Sequence, residues 1–344
     1  MVNTTGSPFT VRPDWLARRE EDILEPDLPI IDPHHHLIDR PGHGTYLLAD
    51  LLADLASGHN VVATVYLEWL SMYRADGPLA MRPVGEVEFA NGVAAMCASG
   101  AYGKIRACAG IVGHAELTLG SGLAKVLEAM MAAAGGRFRG VRFIACTDPD
   151  QAQWGVNLMR PQGLLLDKTV REGFAQLEPH GLSFDTWVYH PQLGDVVDLA
   201  RAFPGTQICV DHVGGPIGLG RYKCKRDAVF VEWSRSIREL AACPNVHVKL
   251  GGMGMPMFGF DFVLGEIAPS SEQLAAAWRP YVETCIEAFG PKRAMFESNF
   301  PVDKVSYGYG VYWNACKRLA KGMSSTEKAD LFHGTASRFY RLGL

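Results

Sequence analysis

No two of the eight cysteines, Cys97 to Cys316, form a CxxC pair. That spacing excludes a zinc ribbon and favours reduced, mostly core thiols in a cytoplasmic protein over a disulfide framework. Long runs of like charge are also missing, and the net charge is only −4. A nucleic-acid or anionic-membrane surface is therefore not expected. No eighteen consecutive residues are apolar, so no membrane-spanning helix is expected. Met1 to Glu20 has no basic region leading into an apolar stretch, the pattern of a secretory signal. No GxGxxG follows the first apolar run, which argues against an open, doubly wound nucleotide-binding sheet. Neither a repeat nor a composition break marks a linker.

What is present is a chain of 344 residues, 48% hydrophobic and 20% charged. That is enough apolar material for a large core, and α/β barrels reach this length as one domain. Eight short apolar runs read as strands: Ile30–Ile38, Asn60–Glu68, Ile105–Gly113, Phe138–Ile144, Leu182–His190, Gln207–His212, Val246–Leu250 and Arg293–Ser298. They alternate with about eight segments of helical spacing, including Pro83–Ala98, Gly122–Ala134 and Glu272–Phe289. This alternation predicts a single-domain (β/α)8 TIM barrel over residues 28–344, ending in C-terminal helices, with residues 1–27 as an N-terminal arm. The stretch Thr147–Leu164, rich in Asp, Gln, Gly and Pro, reads as a long loop and a candidate lid.

In such a barrel the reactive groups sit at the C-terminal ends of the strands. The first strand runs into His34-His35-His36, where period-two spacing points His34 and His36 to one face and His35 to the other. Glu68 ends the second strand, Arg142 lies near the end of the fourth, and His190 and His212 end the fifth and sixth. Glu297 and Asn299 end the eighth. Barrel closure would make Glu297, His34, His36 and Glu68 neighbours, although Glu297 could instead form a buried ion pair with Lys249. Arg142, with Arg137 and Arg139 nearby, could clamp a carboxylate. Arg139 and Arg142 have opposite parity, so only one faces the pocket. Tyr73 and Arg74 could add an anion contact, and Trp187, Trp69 and the Met253–Phe258 loop an apolar wall.

Asp32-Pro33-His34-His35-His36, Asp211-His212-Val213-Gly214 and Met295-Phe296-Glu297-Ser298-Asn299-Phe300-Pro301 together resemble motifs of the amidohydrolase superfamily. The similarity is to the branch that holds sugar-acid and pyrone lactonases and zinc decarboxylases. The resemblance implies a third metal-binding or catalytic imidazole on strand five, here His190. Two positions depart from the pattern. The family's strand-eight Asp is Asn299, an amide that cannot serve as a base. Strand four offers Arg142 where bimetallic members carry a carboxylate or modified Lys, so a two-metal centre is not expected.

The reading is a lactonase that opens the lactone of an acid by water attack. His34, His36 and His190 polarise the carbonyl, Glu297 takes the proton from water, and Asn299 completes the catalytic set. Arg142, Glu68, Tyr73, Arg74, Trp187 and His212 bind a small, anionic substrate. No cofactor is obligate; one divalent ion, zinc, would be held by His34, His36, His190 and Glu297. The alternatives are a zinc-dependent decarboxylase of an aromatic or muconate-type acid and a degenerate barrel that binds a ligand without turnover. A homo-oligomer is compatible with all three.

Overall fold

The computed structural model describes residues 10–40, 44–154, 158 and 160–344. Eight parallel strands form one sheet in sequence order: β1 Ile30–His35, β2 Val61–Leu67, β3 Arg106–His114, β4 Phe138–Ile144, β5 Ser183–Trp187, β6 Ile208–Val210, β7 Val246–Leu250 and β8 Ala294–Phe296. The sheet closes just past the end of β8. His36 N donates to Phe300 O at 2.8 Å and Asn299 N to His34 O at 2.9 Å, with a parallel bridge between His35 and Phe300. The eight expected strands are all found, and the molecule is a (β/α)8 barrel.

The helices follow the expected segments closely, for example Val84–Ala98, Leu123–Ala133 and Ser271–Phe289. The last begins at a capping box. Gln273 N donates to Ser270 Oγ at 3.2 Å, and Ser270 N to Gln273 Oε1 at 2.8 Å, which satisfies two N-terminal amides. Its buried face, Leu274, Trp278, Tyr281, Val282, Cys285 and Phe289, recurs every three or four residues. A short hairpin, Ile38–Arg40 with Gly44–Tyr46, follows β1. In the arm, the short helix Pro13–Ala17 is fastened to the loop before Ser271–Phe289: Trp15 Nε1 donates to Gly265 O and Arg19 Nε to Ala268 O.

Two layers fill the barrel. The lower one is apolar: Ile31, Ala63, Val65, Val112, Cys209 and Met295 cluster with Phe339, Tyr340 and Leu342 of the C-terminal segment, which plug the N-terminal mouth. The upper one is polar and fully enclosed, with His34, Arg142, Asp185, Asp211, Lys249 and Glu297 all buried. Burial of so many ionisable groups is tolerated only when each is paired. All eight cysteines are free and seven are buried, Cys224 being the exposed one. No helix among the described residues is long and apolar enough to cross a membrane. The expected lid falls partly outside the described residues. Within it, Trp154 packs edge-on to Tyr189 and Arg160 lies over the Phe143 ring.

Candidate active site

The polar layer is organised by one carboxylate. Glu297 stands one residue past β8, and its two oxygens serve two imidazoles. Oε1 receives the His212 backbone N–H at 3.0 Å and lies 2.7 Å from His212 Nδ1. Oε2 lies 2.6 Å from His34 Nδ1. The His212 hydrogen bond puts that ring's proton on Nδ1 and its lone pair on Nε2, whereas His34 Nδ1 is shared between Glu297 Oε2 and the Lys249 ammonium. Burial alone would raise the Glu297 pKa; the imidazoles of His212 and His34 outweigh it and bring the carboxyl well below its usual range. Glu297 therefore stays ionised, with its two oxygens placed against the His212 and His34 imidazoles.

His36 is fixed from the other side. Its Nδ1 meets Leu67 O at 2.9 Å, which again puts the proton on Nδ1. Its bare Nε2 then faces His34 Nε2 at 3.2 Å and Asn299 Oδ1 at 3.2 Å. Asn299 Nδ2 donates to Asp303 Oδ1 at 2.9 Å, and that bond decides which end of the amide looks at His36. The His36 Nε2 and Asn299 Oδ1 lone pairs thus converge on one corner, beside His34 Nε2. Burial, with the Arg142 charge second, keeps His36 neutral by lowering its pKa far below the ordinary value.

Two cations flank His34. Lys249 Nζ reaches Asp185 Oδ1 at 2.8 Å, Asp211 Oδ1 at 2.9 Å and His34 Nδ1 at 3.1 Å. Burial disfavours its charge, but Asp185 and Asp211 more than restore it. The alternative of a Glu297–Lys249 pair is not found; Lys249 instead bridges two aspartates. Arg142 donates through Nε to Glu68 Oε1 at 2.8 Å and through Nη2 to Glu68 O at 2.7 Å, and its Nη1 lies 3.1 Å from His34 Nε2. The guanidinium faces the pocket as expected, while Arg139 does not. Its charge, however, is already matched by Glu68.

The remaining expected residues divide. Trp187 packs against the His212 ring, with centroids 5.7 Å apart, and among the described residues its buried Nε1 has no partner. Glu68 Oε2 is likewise unpartnered. The Tyr73 phenol is buried, and desolvation followed by the Glu68 and Glu86 charges raises its pKa. Arg74, from which a substrate contact is expected, is exposed and pairs with Glu88. His190 packs on Tyr222 at 5.0 Å and its Nδ1 receives Ile217 N–H at 3.3 Å. Met253, Met255, Met257 and Phe258 are core residues.

Among the described residues, the group whose ligand atoms all lie within 4.8 Å of one another is His34, His212 and Glu297. This buried donor set fits a divalent metal ion. It shares His34 and Glu297 with the expected set and has His212 in place of His36 and His190. Of the carboxylates around it, Glu68 pairs with Arg142, and Asp185 and Asp211 share Lys249, while Glu297 has only the two imidazoles. A divalent cation would meet that unmatched charge.

Two glycines make the arrangement possible. A Cβ on Gly251 would sit 2.1 Å from Glu297 O, and one on Gly252 only 2.3 Å from His212 Nδ1. Gly252 also has φ +71°, as the turn out of β7 requires. His212 and Asn299 themselves adopt φ of 56° and 55°, which re-aims both side chains after their strands. Gly252→Ala should push the His212 ring off Glu297 and cost on the order of 100-fold in kcat, the scale of a misplacement of about 1 Å. Steady-state kinetics would show it, and a near-normal kcat would mean that His212 does not act in the reaction.

Comparison with known proteins agrees with this architecture. The amidohydrolase family model matches residues 31–342. The uncharacterized protein y4mH of Sinorhizobium fredii is 34% identical over 92% of this chain and 99% of its own length. An L-fucono-1,5-lactonase of Burkholderia multivorans is 30% identical, but the match covers about half of each chain, 51% of this one and 57% of the lactonase. A crystal structure of a Burkholderia multivorans amidohydrolase with bound zinc superposes with a TM-score of 0.68 at 24% identity, covering 91% of this chain and 99% of that one.

Proposed function

The chain belongs to the amidohydrolase family, and we propose that it opens the lactone ring of a sugar-type acid by water attack. The observation that carries this reading is the Glu297 carboxylate shared between His34 and His212. A carboxylate holding an imidazole by Nδ1–H is the arrangement that readies Nε2 to take a proton.

In this reading His212 Nε2 removes a proton from water as its oxygen attacks the lactone carbonyl. Glu297 stabilises the imidazolium that results. Arg142, at the His34 corner, meets the developing oxyanion. The ring C–O bond then breaks, and His212 returns its proton to the leaving alkoxide. Glu68 Oε2 and Trp187 Nε1, buried without partners among the described residues, would serve substrate hydroxyls. A divalent ion, zinc by the expectation above, would be held by His34, His36 and the Asn299 oxygen, leaving the His212 Nε2 lone pair free to take the proton. When bound, it would polarise the carbonyl.

In this reading the substrate is a neutral lactone, because the Arg142 charge is matched by Glu68 at 2.8 Å. The alternative, a decarboxylase, takes the anionic substrate expected from sequence, whose carboxylate would need the divalent ion as its cation. The test is a panel of sugar-acid 1,4- and 1,5-lactones and aromatic carboxylic acids, followed by proton release and by CO2 release, with and without chelator. Proton release from a lactone is expected. Loss of CO2 from an aromatic acid with no lactone opened would sink the proposal.

A further inference from the structure

A cavity of about 560 Å³ opens on the N-terminal side of the barrel, where the end of helix Val84–Ala98 meets the starts of β3 and β4. Its lining includes Lys104, Arg106, Arg137 and Arg139 and no Asp or Glu. Lys104 and Arg106 are exposed, and Arg137 and Arg139 half-buried.

The hydrogen bonds of these bases go to neutral oxygens. Arg137 Nη1 donates to Asn91 Oδ1 at 2.7 Å, and Arg139 Nη1 to Gly136 O at 2.7 Å and Phe138 O at 3.2 Å. Arg139 Nε is buried with no partner among the described residues. A fifth base, Arg341, donates to Arg139 O at 2.6 Å, which sets its guanidinium beside the same edge. Exposed arginines such as Arg74 and Arg279 pair with the carboxylates of Glu88 and Glu283. Here like charges are gathered without one, an arrangement that repels itself unless an anion joins it. The mouth is also kept open. Gly100, Gly103 and Gly136 take φ of +78°, +86° and +80°, and a Cβ on any of them would meet nothing within 4 Å.

We propose that this cavity is a second binding site, remote from the catalytic end, that takes the phosphoryl group of a small metabolite. A phosphoryl dianion offers three acceptor oxygens, enough to engage several of these bases at once, whereas a carboxylate offers two. The volume falls in the usual range for small-ligand sites, roughly 300–1,000 Å³, and leaves room for the rest of a metabolite. The site lies at the strand starts, whereas the catalytic groups lie at the strand ends.

Calorimetric titration of the intact protein with inorganic pyrophosphate, with citrate in parallel, tests the proposal. One saturable pyrophosphate site is expected, tighter than any citrate site. The double variant Lys104→Glu/Arg106→Glu should weaken it about 100-fold, the loss of two charge-assisted contacts. Both positions are exposed, so melting temperature and lactone turnover should be unchanged, and Arg106→Gln should give a smaller loss. Absence of saturable binding overturns the proposal. So does equal affinity in the double variant, which would put pyrophosphate at the catalytic end, or citrate binding as tight as pyrophosphate.

Discussion

Glu297→Gln should lower kcat for lactone opening by on the order of 10³–10⁴-fold with little change in KM. The reason is tautomeric. Glu297 presents an acceptor to His34 Nδ1 and another to His212 Nδ1. A glutamine amide presents one acceptor and one donor. Both His212 donors point at Oε1 and keep the amide oxygen there, so the amide donor faces His34 Nδ1 and displaces its proton, while the His212 imidazolium loses the carboxylate charge that stabilises it. Nitrogen-15 NMR of the histidines should show one ring exchanging tautomer in the variant. His212→Ala should cost a similar factor, and the double variant no more than the worse single one, because the two act as a unit. A Glu297→Gln enzyme that keeps a tenth of its kcat would refute the orienting role.

The second large effect is on stability. Lys249→Met should cost about 3–5 kcal/mol, because it leaves Asp185 and Asp211 enclosed without their shared cation. The fall in Tm would be on the order of 10 °C. Its pH dependence has a definite sign. Without Lys249 both aspartates would have folded-state pKa values above those of the unfolded chain. Burial already raises Asp185 with Lys249 in place, and the Asp211 charge adds to it. Groups shifted that way bind protons in the folded state that the unfolded chain lacks, so stability falls as pH rises through the window. The deficit relative to wild type should therefore narrow on acidification from about pH 8 to about pH 5. A variant that melts like the wild type would mean that the aspartates find another partner.

Both predictions rest on groups that were unequally visible in the sequence. Strand positions were legible because a fully buried strand is a short apolar run, and the motifs after β1, β6 and β8 located His34, His212 and Glu297. Glu297 could be placed beside His34 because the first and last strands of a closed barrel are neighbours. Its role was not legible. Whether a carboxylate accepts a proton or fixes a tautomer depends on which atoms face its two oxygens, and His212 Nδ1 reaches it from 85 positions away. Arg142 was assigned to substrate because spacing along one strand says nothing of Glu68, 74 positions earlier, which claims it. Asp185 passed unnoticed inside an apolar run. Gly252 could be read as loop composition but not as the space that a histidine ring needs.

The closure of the barrel has one further consequence. The rungs that join its two ends, His36 N to Phe300 O and Asn299 N to His34 O, belong to the same residues whose side chains form the reactive corner. Parting the seam and dismantling the chemistry are thus a single event. The amide protons of His36 and Asn299 should exchange with solvent only as fast as catalytic competence is transiently lost, which makes enzymatic activity itself a gauge of whether the cylinder is shut.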